Sequence, residues 1–281
     1  MGTDVSRIAV LADVHGNVPA LEAVLDDIAR TGADRVVVGG DLVGRGPEGR
    51  AVVERIRSLG LLSVRGNHED LLLATRDTPR GKDADDDIAR CTRWMADDLD
   101  DAAAAFAAAL PPALVVPGAP DVRIVHGSPR SNREGIGPWT SAERVRELFD
   151  DVPEPVLCCA HTHRPLVHRL AGGLVVNVGS VGLPFDGDPR AAYALLVRDR
   201  DGWHSEVRRV PYDRDRVLAR YRTTGFLDEC GAMAAMAARE IETARSHLVP
   251  FEAWCRERGL PPVHRLVADF LEGFVPEQPV A

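Results

Sequence analysis

Hydrophobic and polar positions alternate between two periods along the first third of the chain. Residues 7–12, RIAVLA, form a continuous apolar run, which predicts a buried strand. Leu21, Val24, Leu25 and Ile28 then fall at i, i+3, i+4 and i+7, the stripe of a helix with one buried face. Asn17 and Pro19 occupy the positions of a cap and a first-turn proline, and Gly32 follows the last periodic residue. RVVVGG (35–40) predicts a second strand, Val52, Ile56 and Leu59 a second helix, and LLSV (61–64) a third strand. Strands alternating with helices imply a largely parallel sheet covered by helices.

The run RDTPRGKDADDD (76–87) is polar and broken by proline and glycine, so it is expected to be an exposed loop with a solvated acidic face. The alanine-rich stretch 102–109 continues a helix. From residue 113 the pattern changes to short apolar runs at 113–117, 122–126, 155–160, 166–170, 174–178, 192–198 and 203–210, read as strands of a second sheet region. After Tyr212 helical spacing returns, with Met233, Ala237, Ile241, Ala244 and Leu248, then Leu266, Val267, Phe270, Leu271 and Phe274. The division is therefore a domain over 1–211 and a helical extension over 212–281, packed on the core or on a second subunit. No internal repeat is present.

With 281 residues, 45% hydrophobic and 27% charged, the chain is long enough for a large core. A net charge of −9 argues against an extended nucleic-acid surface or a grip on anionic membrane, and leaves any phosphate recognition local. No run reaches the roughly 20 apolar residues of a membrane helix, and the first residues lack signal-peptide character, so the expected location is the cytoplasm. Five cysteines without C-x-x-C spacing suggest neither a disulfide framework nor a zinc ribbon, and the adjacent Cys158 and Cys159 are expected to pack as small buried side chains.

Seven polar residues follow the carboxyl ends of apolar runs, where open α/β sheets place ligands. Asp13 and His15 stand in LADVHGN, Asp41 in VVVGGDLVGRG, Asn67 in VRGNHE, His126 in RIVHGSPR, and His161 and His163 in VLCCAHTHRP. One such residue is ordinarily a turn or capping group; a series is not. Two carboxylates, an amide and four imidazoles, with no thiolate, suit divalent manganese, iron or zinc better than soft copper, and are enough for two ions. Two ions about 3.5–4 Å apart can hold a bridging hydroxide and clamp an in-line displacement at phosphorus.

The set D-x-H (13–15), GDLVGRG (40–46), GNHE (66–69), HG (126–127) and H-x-H (161–163) resembles the calcineurin-like metallophosphoesterase superfamily, over residues 7 to 180 and in the expected order. NVGSVGLPFDGDPRAAYALL (177–196) is similar to the compact bacterial phosphodiesterase-type branch. The resemblance implies a two-sheet α/β sandwich flanked by helices. It implies a first metal at Asp13, His15 and His163, a second at Asn67, His126 and His161, and Asp41 bridging them. It also implies His68 acting on the leaving group, Arg45 binding phosphate, and Asn67 contacting the substrate as well as metal. The cofactor expected is a pair of divalent transition-metal ions, manganese first, with iron or zinc as alternatives.

The implied activity is hydrolysis of a phosphodiester or phosphomonoester, with a nucleotide or small phosphoester as substrate. Dinucleoside polyphosphate hydrolysis and protein phosphatase activity are the alternatives, and a metal-stabilised scaffold without turnover is the non-enzymatic one. Two departures stand out: Ala160 replaces the usual glycine before H-T-H, and Gly44 stands where protein phosphatases have an aspartate. Glu69 is expected to orient a neighbour or cap a helix, and Trp139 either to stack on a base or to cover the core. Arg130 and Arg164 lie beside ligand motifs, whereas His168, His204, His247 and His264 match none. A homodimer is compatible with the sequence without being required by it.

Overall fold

A computed structural model describes residues 5–79, 81 and 86–276. The strand–helix alternation appears as β1 (Arg7–Leu11), α1 (Val18–Thr31), β2 (Arg35–Val38), α2 (Gly49–Ser58), β3 (Leu62–Ser63) and α3 (Asn67–Asp77). Helix α1 has the predicted ends: Asn17 Oδ1 accepts from Ala20 N at 3.1 Å, and Gly32 closes the helix with φ 69°. Then come α4 (Asp87–Asp98), α5 (Asp101–Ala109), β4 (Ala113–Val116), β5 (Ala119–Val125), α6 (Ala142–Phe149), β6 (Val156–Cys159), β7 (Leu166–Leu170) and β8 (Gly173–Asn177). The alanine-rich segment is thus a helix of its own, started by the Asp100 cap.

The remaining elements are β9 (Ala191–Asp199), β10 (Gly202–Val210), α7 (Arg214–Thr223), α8 (Phe226–Thr243), α9 (Leu248–Glu257) and α10 (Val267–Gly273). The strands form two five-stranded sheets, ordered β10-β9-β1-β2-β3 and β4-β5-β6-β8-β7. Both are mixed. In the first, β1–β2 and β2–β3 are parallel, while β9 pairs antiparallel with β1 and with β10. The sequence reading placed 192–198 and 203–210 in the second sheet region; they return to the first instead. Their apolar runs fit a strand in either sheet, and only the pairing of Ile8 with Leu196 and Val10 with Ala194 fixes the choice.

The two sheets pack face to face, and strand alternation divides the core. Ile8 and Val10 of β1 meet Val122, Ile124, Val156, Cys158 and Val176 between the sheets, whereas Ala9 and Leu11 face the helical layer of α1, α2, α4 and α8. On the far side Leu157, Cys159 and Val175 pack against Val145 and Leu148 of α6. This is a two-sheet α/β sandwich with helices on both outer faces. Helices α7–α10 share the larger cluster, through Tyr221, Phe226, Met233, Ile241, Phe251 and Phe270. The last five residues of the 212–281 segment lie outside the described residues.

Two expectations are overturned. Cys91 of α4 and Cys230 of α8 form a disulfide, 139 residues apart; their adjacency arises from packing of the two helices, which spacing along the chain does not reveal. Cys158 and Cys159 are buried and free. The acidic run 76–87 is not all a solvated loop: Arg76 and Asp77 end α3, Asp86 caps α4, and Asp87 is buried, while 80 and 82–85 lie outside the described residues. Asp87 Oδ2 accepts from Ala232 N at 2.9 Å and His264 N at 2.7 Å, binding α4 to the C-terminal helices. Among the described residues no helix is long and apolar enough to cross a membrane.

Candidate active site

The loops leaving β1, β2, β5 and β6, together with the first turn of α3, converge over the carboxyl edge of the parallel strands, and all seven sequence-predicted donors meet there. The backbone is forced to turn sharply at this edge. Asp13, His15, Asp41, Arg45, His161 and His163 all have φ between 52° and 67°, and among the described non-glycine residues Ala244 alone shares that region. Each left-handed residue costs on the order of 1–3 kcal/mol and persists only where its surroundings fix it, as at functional sites.

Buried side chains supply that fixing. Glu69 Oε1 accepts from Leu42 N at 2.7 Å and Val43 N at 3.3 Å, while its Oε2 accepts from Gly66 N at 2.7 Å and Asp41 N at 3.0 Å. It therefore both caps α3 and shapes the Asp41 loop. Asn67 and His68 occupy the first turn of α3, where His68 N donates to Asp41 Oδ1 at 2.9 Å. Gly66 is required because a Cβ would drive into the Asp41 carboxylate. Ser180 Oγ donates to Asp13 O at 2.8 Å, and Asn177 Nδ2 donates to Ala160 O and Thr162 Oγ1, shaping the H-x-H turn. Asn177, at the end of β8, lies within NVGSVG but was not singled out from the sequence; its place after an apolar run was the available signal. Ala160 is fully buried within the inter-sheet core, so its methyl group is accommodated.

The donor atoms form three overlapping triads, each within 4.8 Å: Asp13, His15 and His163; His15, Asp41 and His68; Asp41, His126 and His161. Asp41 Oδ2 lies 3.7 Å from His15 Nε2 and 3.3 Å from His126 Nε2, so one carboxylate faces both groups. Asn67 Oδ1 lies 3.0 Å from His126 Nε2. The outer ring nitrogens are tied to carbonyls: His15 Nδ1 to Val43 O at 3.1 Å, His126 Nδ1 to Gly39 O at 2.8 Å, and His163 Nδ1 to Leu183 O at 2.6 Å. At His15 and His163 those bonds put the proton on Nδ1 and turn the Nε2 lone pair inward. His15 Nε2 and His163 Nε2 then face each other at 3.1 Å, lone pair to lone pair.

That opposition, and a buried Asp13 Oδ1 without a hydrogen-bond partner, fit cation binding: a positive ion satisfies both where no proton does. Burial holds His15 and His163 well below the ordinary histidine range, and holds His68 and His161 at about 4. Neutral imidazoles are the form a metal requires. Burial acts to lower His126 too, but the charges of Asp41 and Asp13 hold it up at about 10, so a cation bound there must displace its proton. Burial lifts Asp13 well above the carboxylate range; at Asp41 the same effect is outweighed by His126, His68 and His15, which hold it well below. Burial raises Glu69 to about 7.

A cavity of about 1100 Å³ opens from this cluster. Arg45, His68, Arg164 and Trp139 line it, whereas Arg130 is turned away and pairs with Asp151 at 2.6 Å. Gly44, with φ 80°, leaves room for His68: a Cβ there would come within 2.8 Å of His68 Cγ. An aspartate at 44 would displace that ring. The four unassigned histidines stay outside the donor set; His204, for example, pairs with Asp199 at 3.0 Å. Sequence reasoning missed the C-terminal contribution: Glu240 pairs with Arg45, and Arg245, Ser246, Val249, Pro250 and Phe274 line the cavity.

Residues 7–201 match the calcineurin-like phosphoesterase superfamily domain, and the chain belongs to that family. It is a metal-dependent phosphoesterase, a hydrolase of phosphoric ester bonds. An uncharacterized protein of Methanocaldococcus jannaschii is 29% identical over 227 residues, 74% of this chain and 88% of the relative. The phosphodiesterase YfcE of Escherichia coli K12 is 26% identical over 203 residues, 69% of this chain and 88% of that protein. Among solved structures, a metallophosphoesterase from Sphaerobacter thermophilus superposes with a TM-score of 0.70 at 29% identity, covering 85% of this chain and 99% of that one. A hypothetical protein from Pyrococcus horikoshii gives 0.72 at 22% identity, covering 86% and 99%, a likeness of fold.

Proposed function

We propose that the protein hydrolyses a phosphodiester or phosphomonoester of a nucleotide or other small molecule at a site for two divalent metal ions. The observation that carries this reading is the shared carboxylate: Asp41 Oδ2 faces His15 of one donor group and His126 of the other. Asp13, His15 and His163 would hold one ion and Asn67, His126 and His161 the second, with Asp41 common to both. The oxygen and imidazole donor set suits manganese, iron or zinc. When bound, the ions supply an activated water and neutralise charge growing on the phosphoryl oxygens.

The chain's own residues supply the rest. Arg45, fixed against the Phe185 ring with its guanidinium carbon 5.8 Å from the centroid, binds the non-reacting phosphoryl oxygens. His68 stands edge-on to His15 at 4.8 Å between ring centres, with a buried Nδ1 that has no hydrogen-bond partner. An anionic ester beside the ring favours its protonated form, and His68 then gives its proton to the departing oxygen. The phosphodiesterase name of the Escherichia coli relative supports a diester. A protein phosphatase reading is weakened at Gly44, where an aspartate has no room. A scaffold has no use for a proton donor aimed into a cavity. Screening mono-, di- and polyphosphate esters with manganese, iron and zinc tests the proposal: turnover of a small ester that needs added metal supports it, and hydrolysis unaffected by chelation refutes it.

A further inference from the structure

The cavity over the donor cluster is far larger than a phosphoryl group requires. At about 1100 Å³ it reaches the size that encloses a whole organic ligand. The donor cluster contributes Asp41, Asn67, His68, His161 and His163 to its lining. Apolar lining is added by two distant parts of the chain: Trp139, in the loop between β5 and α6, and Val249, Pro250 and Phe274, around α9 and the end of α10.

Trp139 is the informative residue. Its side chain is 54% exposed, unusual for a tryptophan, yet it is fixed in place. The Arg164 guanidinium carbon lies 5.1 Å from the ring centroid, and Gly137 makes room for the indole, since a Cβ there would come within 2.7 Å of Trp139 Cη2. Val249, 53% exposed, presents further apolar surface to the same space. The C-terminal wall is built with equal care. Ala244 takes the left-handed conformation at φ 51°, its carbonyl accepts from Gly187 N at 2.9 Å, and Glu240 Oε1 accepts from His247 N and Leu248 N at the start of α9. That turn sets Arg245 and Ser246 against the cavity.

We propose that this apolar lining is a nucleobase subsite, so that the substrate is a nucleoside phosphoester whose base lies against Trp139, Val249, Pro250 and Phe274 while its phosphoryl group reaches the donor cluster. This rests on the phosphoester reading above and deepens it. A base matches the lining on both counts: its faces stack on an aromatic ring, and its edge exchanges a hydrogen bond with a hydroxyl such as that of Ser246. An alkyl chain offers the Ser246 hydroxyl no acceptor. A bare sugar phosphate leaves the apolar wall wet.

Calorimetric titration of the full chain, with and without manganese, compares adenosine 5′-monophosphate with ribose 5-phosphate, which lacks the base. The expected result is binding of the nucleotide roughly tenfold tighter, within the range a single base stack supplies. Trp139→Ala should reduce that ratio below about twofold, and Val249→Ser should reduce it by about threefold; both positions are exposed, and thermal unfolding confirms that the variants fold. A wild-type ratio below twofold, or a ratio that survives Trp139→Ala, overturns the subsite. If the base preference is present and lost on substitution while no phosphoester is hydrolysed, the subsite stands and the hydrolytic reading falls.

Discussion

Arg45 Nη1 lies 3.2 Å from Glu240 Oε2, an ion pair between residues 195 apart in sequence that joins the β2 loop to α8. Glu240 is fully buried, and its other oxygen receives the first amides of α9. One carboxylate therefore holds both Arg45, which lines the cavity, and the cavity's C-terminal wall. Breaking a buried pair by removing one partner costs about 3–5 kcal/mol, so Glu240→Ala should lower the unfolding midpoint strongly. Glu240→Gln keeps an acceptor for the amides and is the sharper test. It should raise KM several-fold, and adding it to Arg45→Ala should give little further change, because both act through one contact. A purely structural role would lower stability with KM unmoved.

Asp41 faces both donor groups, whereas His163 belongs to one. Elemental analysis after metal loading should find two ions per chain in the native protein, about one in His163→Ala, and neither held firmly in Asp41→Asn. Equal loss in the two variants would contradict the shared-carboxylate arrangement.

The strands, the first helix with its caps and the gathering of seven polar residues at one edge were legible because each is written locally. A 3.6 or continuous apolar pattern marks the element, and a polar residue directly after a strand marks the site. What was not legible depends on distant partners. Strands β9 and β10 could have joined either sheet until Leu196 met Ile8. Cys91 and Cys230 are neighbours only because α4 and α8 pack. Glu240 sits within an ordinary helical pattern, and nothing near it in sequence announces Arg45. The left-handed backbone at Asp13, His15, Asp41, His161 and His163 is likewise carried by non-glycine residues, which give no local warning.

Asp87 links α4 to the C-terminal helices and titrates with folding. Burial acts to raise its pKa, but the Ala232 amide, the Arg90 guanidinium at 2.7 Å and the His264 amide together hold it below the ordinary aspartate value. A group whose folded pKa is depressed stabilises the fold above its unfolded pKa, near 3.9, and loses that contribution as pH falls through the folded value. Asp87→Asn should therefore cost about 1–3 kcal/mol at neutral pH and flatten the decline in stability below about pH 4. Urea unfolding at a series of pH values reads both. An unchanged acid limb would show that Asp87 does not contribute to it.

His68 and Gly44 bear on the chemistry together, because the ring occupies the space a Cβ at residue 44 would take. General acid catalysis is typically worth on the order of 10²–10⁴-fold and matters most for a leaving group that needs a proton. His68→Asn should therefore slow hydrolysis of an alkyl phosphoester by about that factor, yet slow a nitrophenyl ester much less, since nitrophenolate departs unprotonated. The geometry adds a demanding control. The ligand atom of His68 lies within 4.8 Å of those of His15 and Asp41, so a ligand role predicts loss of metal from His68→Asn. A proton donor predicts that both ions stay. Gly44→Ala, which forces the ring aside and strains a residue at φ 80°, should reproduce the leaving-group dependence with His68 still in the chain. Equal losses for the two leaving groups with metal retained would assign His68 to stabilising phosphoryl charge rather than to proton transfer, and losses that track metal content would make it a ligand.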